Sequence, residues 1–279
     1  SHQLEQGNGP FVVLGAYGIG KTTLAKRLFL ELLARWERDH SAPIPIYLSL
    51  ERMQQEQSLE GLLGTIFTSV SPAPGYNFDI FCALNERGHF TIILDGIDEM
   101  RHKLNKEEFL YNIDQLGILA SANTNTILLG RPSAFMDEDE YNYVVHGRSV
   151  LGYSSTFSSG QKLVEVHLSM LSDSQVSTMI DKYCSWRHPK NPRYPERVWS
   201  VLSASTAPFI RDMIRRPIQL MMFLEIFPEL PKPLDRVSKA TVYSIFIDGL
   251  IARERTKQRS RKFSNSDHRR FARAIAWWL

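Results

Sequence analysis

The sequence predicts an α/β fold, a three-layer parallel sheet with helices on both faces, followed by a smaller all-helical domain. Three observations predict it. Short apolar runs of strand length alternate with amphipathic stretches through the first half of the chain, the pattern that builds parallel sheets buried on both faces. Three of those runs end on residues with chemical character: a glycine-rich loop, an acid and an arginine. Beyond about residue 150 strand signals give way to helical periodicity. At 279 residues, 43% of them hydrophobic, the chain can fill two cores.

Taken in order, Ser1–Gly9 is a polar lead. Pro10–Leu14 is an apolar run of strand type, and after the loop at 15–22, Leu24, Leu28 and Leu32 with Ala25 and Phe29 recur at helical spacing until charge takes over at Arg35–Asp39. Pro45–Leu50 suits a second strand. Leu59–Val70 and Phe78–Arg87 read as helices, parted by the breaker cluster Ser71–Gly75. Phe90–Asp95 is a buried-strand run ending in an acid, Glu107–Ala120 fits a helix, and Thr126–Gly130 is a further strand ending at Arg131.

A Ser/Gly-rich loop at Ser154–Gly160 closes this part, and Leu163–Leu168 can add an edge strand. Helices are then expected over Ser172–Tyr183, Pro195–Ser203, Pro217–Phe227 and Val237–Arg253, with a proline-punctuated break at Pro228–Pro233. The organisation expected is a lead at 1–9, a sheet domain at 10–160, a helical lid at 161–255 and the start of a third domain at 256–279. No internal repeat is visible. The tryptophans Trp36, Trp186 and Trp199, at helical spacing beside aliphatic residues, read as core rather than as a stacking surface.

Bulk properties exclude some classes. A formal charge of +3 is well short of a polybasic nucleic-acid binder. Cys82 and Cys184 form neither a disulfide framework nor metal-ligand spacing, and His167 and His188 lack partners at such spacing. No run approaches the length of a bilayer span and no basic-then-apolar export signal opens the chain, so a soluble, cytoplasmic protein is expected. The apolar end Ala274–Leu279 needs something to pack against, and a piece of a longer protein is expected.

The loop carries the strongest chemistry. Gly15, Ala16, Tyr17, Gly18, Ile19, Gly20, Lys21 and Thr22, followed by Thr23, lie between a strand and a helix. Small residues let backbone N–H groups turn inward around phosphate oxygens, and the helix aims its positive end at them. Lys21 adds a mobile charge for the outer phosphates, and Thr22 offers a hydroxyl to magnesium. Asp95, at the end of a buried strand, suits a magnesium acid beside such a loop, although alone it would read as a helix cap. Asp98 and Glu99 follow, either of them able to act on an attacking water, or simply acids in the first turn of a helix. Arg131 can reach a γ-phosphate or serve in a surface ion pair.

The combination of Gly-Ala-Tyr-Gly-Ile-Gly-Lys-Thr-Thr-Leu-Ala at 15–25, Ile-Ile-Leu-Asp-Gly-Ile-Asp-Glu-Met at 92–100 and Ile-Leu-Leu-Gly-Arg-Pro-Ser at 127–133 closely resembles the NACHT family of signalling NTPases. The small residue after the metal acid, with paired acids downstream, is its most specific part. The run from Val164 through Val176 is similar to the edge strand and first helix of the family's lid, and Arg215-Arg-Pro-Ile-Gln-Leu-Met-Met-Phe is similar to the lid helix whose proline lies by the adenine. One departure is Gly130, where many members carry serine.

The resemblance implies an AAA-related nucleotide domain, a helical domain and the start of a winged-helix domain. It implies ATP or ADP and magnesium as ligands. Lys21 and Thr22 would then meet phosphates and metal, Asp95 the metal, Asp98 or Glu99 the water, Arg131 the γ-phosphate and Pro217 the base. It further implies a switch: ADP holds a closed monomer, and exchange for ATP drives self-association and activates flanking effector and sensor domains, typically in immunity, including defence against phage. Competing expectations are a nucleotide-dependent enzyme acting on nucleic acid, a small-molecule kinase, or a scaffold without turnover. Further nucleic-acid motifs and an acceptor pocket are not identifiable, and the basic run Arg253–Lys262 reads more readily as a solvated loop than as a nucleic-acid contact.

Overall fold

The computed structural model describes residues 10–52, 58–70, 73–120, 124–148, 163–205, 208–234 and 237–256, with 264, 266, 267, 269 and 270. The expected lead at 1–9, the loop at 154–160 and most of the expected winged-helix start at 256–279 lie outside those residues. The chain divides into two compact units, residues 1–169 and 170–279.

The first unit is built on five strands: β1 (Phe11–Leu14), β2 (Ile44–Ser49), β3 (Phe90–Asp95), β4 (Asn125–Gly130) and β5 (Val164–His167). They pair in parallel in the order β2-β3-β4-β1-β5. The expected edge strand is therefore hydrogen-bonded to β1. Among the described residues six helices accompany the sheet: α1 (Lys21–Arg38), α2 (Leu59–Thr65), α3 (Phe78–Glu86), α4 (Ile97–Arg101), α5 (Lys106–Gly117) and α6 (Glu138–His146).

Successive side chains of a strand point to opposite faces, and both faces here are apolar. Val12, Leu14, Ile92, Leu94 and Leu128 enter one core with Leu62 of α2, Phe81 of α3, Phe109 of α5 and Tyr143 of α6. Phe11, Val13, Ile93, Ile127 and Leu129 enter another against Ala25, Leu24, Leu28 and Leu32 of α1. The helical stripe read in the sequence of α1 is thus its sheet-facing side. Two helices of this unit were not expected. The five residues of α4 are too few for periodicity to register. The acidic start of α6 looks like a solvated loop, yet Glu138, Asp139 and Glu140 complement the positive helix end, and the Asp137 side chain accepts from Glu140 N at 2.8 Å.

The second unit is helical: α7 (Asp173–Arg187), α8 (Tyr194–Ala204), α9 (Pro208–Ile214), α10 (Pro217–Ile226) and α11 (Lys239–Thr256). Short α9 was not expected. Val176, Ile180, Leu202, Ile210, Leu220, Phe223 and Val242 share its core, with Trp199 packed against it. Trp186 corrects the sequence reading, being 74% exposed. The buried stripe of α7 runs through Val176, Ile180, Tyr183 and Cys184, and Trp186 lies off it, its ring meeting that of Tyr183 edge-on at 6.2 Å between centroids. Both cysteines are free, and burial pushes each thiol above its ordinary value. Among the described residues no helix is long and apolar enough to cross a membrane.

Candidate functional site

Strand register assembles the site. Leu14 pairs with Gly130, and Asp95 pairs with Leu129, so the ends of β1, β4 and β3 lie side by side. Two bonds continue the ladder past the strands: Gly15 N donates to Gly130 O at 3.1 Å, and Gly96 N to Leu129 O at 3.2 Å. The glycine-rich loop, Arg131 and Asp95 therefore leave the sheet in one row at its carboxyl edge, where open α/β sheets bind ligands.

The loop is shaped by its glycines. Gly18 and Gly20 have φ of 71° and 102°, in the left-handed region that favours glycine. A Cβ at Gly15 would lie 2.7 Å from Ile19 Cγ2, so the buried Ile19 side chain occupies space that only glycine leaves open. Ala16 and Tyr17 are exposed, as are Thr22 and Thr23 in the first turn of α1.

Helix capping marks the same place. In the first unit, α2, α3, α5 and α6 each begin on a side chain that accepts from the first turn: Ser58, Asn77, Asn105 and Asp137. By contrast α1 begins on Gly20 and α4 on Gly96, both left-handed and both without a side-chain cap. First-turn amides that no side chain satisfies are donors suited to an anion. That feature, with open threonine hydroxyls and clustered acids, fits a phosphate chain and its magnesium.

Lys21 folds over the loop, its Nζ donating to Gly15 O at 2.8 Å and Ala16 O at 3.4 Å. Burial pulls its ammonium below the ordinary value; Asp98, Asp95 and Glu99 oppose that shift, whereas Arg131 adds to it. Four charged side chains thus lie near enough to act on the Lys21 ammonium. Asp95 is 6% exposed and accepts at Oδ2 from the Tyr47 hydroxyl at 2.9 Å. Burial first, and then the bond to Asp95, push the Tyr47 phenol above its ordinary value.

The two acids after Gly96 differ. Both lie in the first turn of α4, as the plainer sequence reading allowed. Asp98 is buried, and its Oδ2 lies 2.7 Å from Arg131 Nε. The Arg131 guanidinium also lies 4.9 Å from the centre of the Tyr17 ring, a cation–π contact back to the loop. Glu99 is exposed as a whole residue. Partial burial of its carboxyl, then the Asp98, Glu51 and Asp95 carboxylates, hold it above its ordinary value against the pull of Arg131. Gly96 gives Glu99 room, for a Cβ there would lie 3.0 Å from Glu99 Oε2 at a φ of 96°. Pro217 opens α10 in the second unit, half-buried behind Arg216.

Two supporting features escaped the sequence reading. Tyr47 pairs with Ile93, two residues short of Asp95 on the same strand face, and only register reveals that its hydroxyl can span the gap. Arg101, which ends α4, is bound by Glu140 of α6 through Nε at 3.0 Å and Nη2 at 2.8 Å, with side-chain exposures of 5% and 0%. No local pattern links residues so far apart. A cavity of about 660 Å³ opens at the β2 edge between Phe29, Phe67, Tyr76 and Phe81, with Tyr47 in its wall.

Comparison with known proteins agrees with this geometry. The family model for the NACHT domain matches residues 10–130. An uncharacterised WD repeat-containing protein of Nostoc sp. is 22% identical over 241 residues, 84% of this chain but 15% of that protein. The chain thus spans a small part of that relative's length. Among solved structures, the Walker-type ATPase of Pyrococcus abyssi aligns over 94% of this chain and 73% of its own, with a TM-score of 0.51 at 16% identity. The Aeropyrum pernix ORC1 protein in complex with DNA aligns over 89% and 64%, with a TM-score of 0.44 at 17% identity. The first of these shares the fold.

Proposed function

The chain belongs to the NACHT family of P-loop NTPases, its NACHT domain spanning residues 10–130, and from that premise we propose a magnesium-dependent ATP switch that hydrolyses slowly. The observation that carries the proposal is the row of strand ends, with two uncapped helix starts and the side chains of Lys21, Asp95, Asp98 and Arg131 gathered on it.

In this proposal the backbone of residues 15–20 and the amides opening α1 receive the phosphates, and Lys21 exchanges its loop carbonyls for phosphate oxygens. Thr22 and Asp95 would hold magnesium, which would supply charge neutralisation for the phosphates. Glu99, exposed and made a stronger base by partial burial and neighbouring carboxylates, takes a proton from the attacking water in its charged form. Asp98 holds Arg131 in place, and Arg131 meets the γ-phosphate when that group is present. A carboxylate and a phosphate competing for one guanidinium make Arg131 a reporter of whether ATP or ADP is bound.

Exchange of ADP for ATP would control association with further copies of the chain and activity of flanking effector and sensor domains, in immune or antiviral defence. The Nostoc relative, named for WD repeats and far longer than this chain, supports a module working among other domains. The test is direct: freshly purified protein is denatured and the released nucleotide identified by chromatography. ADP or ATP is expected from the wild type and none from Lys21→Ala. A wild type that neither releases nucleotide nor binds added ATP with magnesium overturns the proposal.

A further inference from the structure

Asp95 offers two carboxylate oxygens, and one is already engaged: the Tyr47 hydroxyl donates to Oδ2 at 2.9 Å. We propose that Tyr47 is a positioning residue of the magnesium site, its hydroxyl fixing the Asp95 carboxylate so that Oδ1 is presented to the metal or its water. The proposal rests on Asp95 being the metal acid.

The ring of Tyr47 has a packing role that the hydroxyl does not share. It meets Phe29 of α1 edge-on, with centroids 6.4 Å apart, and forms part of the wall of the β2-edge cavity. Phenylalanine would fill both roles. The hydroxyl is what packing leaves unexplained, and a half-buried phenol is retained where it finds a partner. Here the partner is the acid at the end of the neighbouring strand. Register makes the reach possible, because Tyr47 lies opposite Ile93 and Ser49 opposite Asp95. Alternate residues share a face, so the tyrosine spans diagonally from β2 to the carboxylate on β3.

The choice of donor matters chemically. A lysine or arginine at this position would orient Asp95 but also neutralise it, competing with the cation it must attract. A neutral phenol orients the carboxylate and leaves its charge for the metal. Without that bond the Asp95 carboxylate, 6% exposed, would be left to turn about its last torsion, which is broad for aspartate. Outer partners of this kind carry about 10- to 100-fold of metal affinity where they have been removed.

The test uses the full chain and a fluorescent ADP analogue at fixed concentration, titrated with magnesium from an EDTA-buffered start. Wild type, Tyr47→Phe and Asp95→Asn are compared, with the thermal midpoint of each measured without nucleotide. Tyr47→Phe is expected to need about 10-fold more magnesium for its half-maximal effect. Its nucleotide affinity in EDTA and its midpoint are expected near those of wild type, and Asp95→Asn is expected to lose the magnesium effect. Coincident magnesium curves for wild type and Tyr47→Phe overturn the role of Tyr47 while leaving the nucleotide site intact. A magnesium effect that survives in Asp95→Asn overturns the metal-acid assignment and this proposal with it, and a collapsed midpoint in Tyr47→Phe assigns the hydroxyl to the fold instead.

Discussion

Asp98 and Glu99 are sequence neighbours with opposite surroundings. Asp98 is buried against Arg131, whereas Glu99 is exposed as a whole residue, its carboxyl raised by partial burial and then by neighbouring carboxylates. Glu99→Gln is therefore expected to retain ADP and ATP binding while losing about 10²- to 10⁴-fold in turnover, measured as phosphate release under single-turnover conditions. The pH dependence has a defined sign. A raised folded-state value means that folding favours protonated Glu99, a stabilisation present below the unfolded value and lost as pH rises through the folded one. Proton abstraction needs the charged form, so hydrolysis should fall as pH drops through a point above the ordinary glutamate value of 4.5, and Glu99→Gln should lack that limb. Gly130 raises a different residue-scale matter. A Cβ there would lie 1.9 Å from Ile97 Cγ2, so the isoleucine that opens α4 occupies the space a serine would need. Gly130→Ser should cost about 1–3 kcal/mol of stability by urea unfolding. Combined with Ile97→Ala, the pair should fall short of additivity by about 1 kcal/mol or more, and full additivity would show that the contact is relieved elsewhere.

At the scale of elements, the acids depend on where α4 lies, and α4 is tied down at its far end. Arg101 and Glu140 make a two-pronged pair away from solvent, with Glu140 Oε2 also accepting from Met136 N at 2.9 Å and Arg101 stacked 5.3 Å from the Phe109 ring centre. Removing one partner strands a buried charge, so Arg101→Met is expected to destabilise by about 3–5 kcal/mol, and Arg101→Met with Glu140→Leu by clearly less. Denaturant midpoints of the three proteins decide it, and equal losses in single and double variants would refute it. The same pair explains what was legible in the sequence. Strands and the long helices carry their evidence locally: β3 is a continuous apolar run and α1 shows its stripe at Leu24, Leu28 and Leu32. Loop, Asp95 and Arg131 were legible because each follows a strand directly. Tyr47, Arg101 and Glu140 were not, since their roles arise from strand register or from pairing across 39 residues, which no window on the chain contains. Trp186 failed for a related reason: helical spacing says that a stripe exists, but not that every aromatic near it lies on it.

For the whole molecule the question is whether nucleotide is held by one unit or by two. Lys21, Asp95 and Arg131 belong to residues 1–169, and Pro217 to residues 170–279. A ligand that binds only the folded state stabilises what it touches, by about 2.7 kcal/mol at a hundredfold excess over Kd. If Pro217 meets the base, as the family likeness implies, ADP with magnesium should slow hydrogen exchange in peptides of both units, in α10 as well as in α1. Pro217→Ala should weaken ADP binding and reduce protection in α10 more than in α1. The alternative outcome, protection confined to residues 10–169 and indifferent to Pro217, would have a wider consequence. A ligand shifts an equilibrium only by its difference in affinity between the two states. Nucleotide held by the first unit alone would have no such contact with the second, and the switch would need another part of the protein to relay what Arg131 reads.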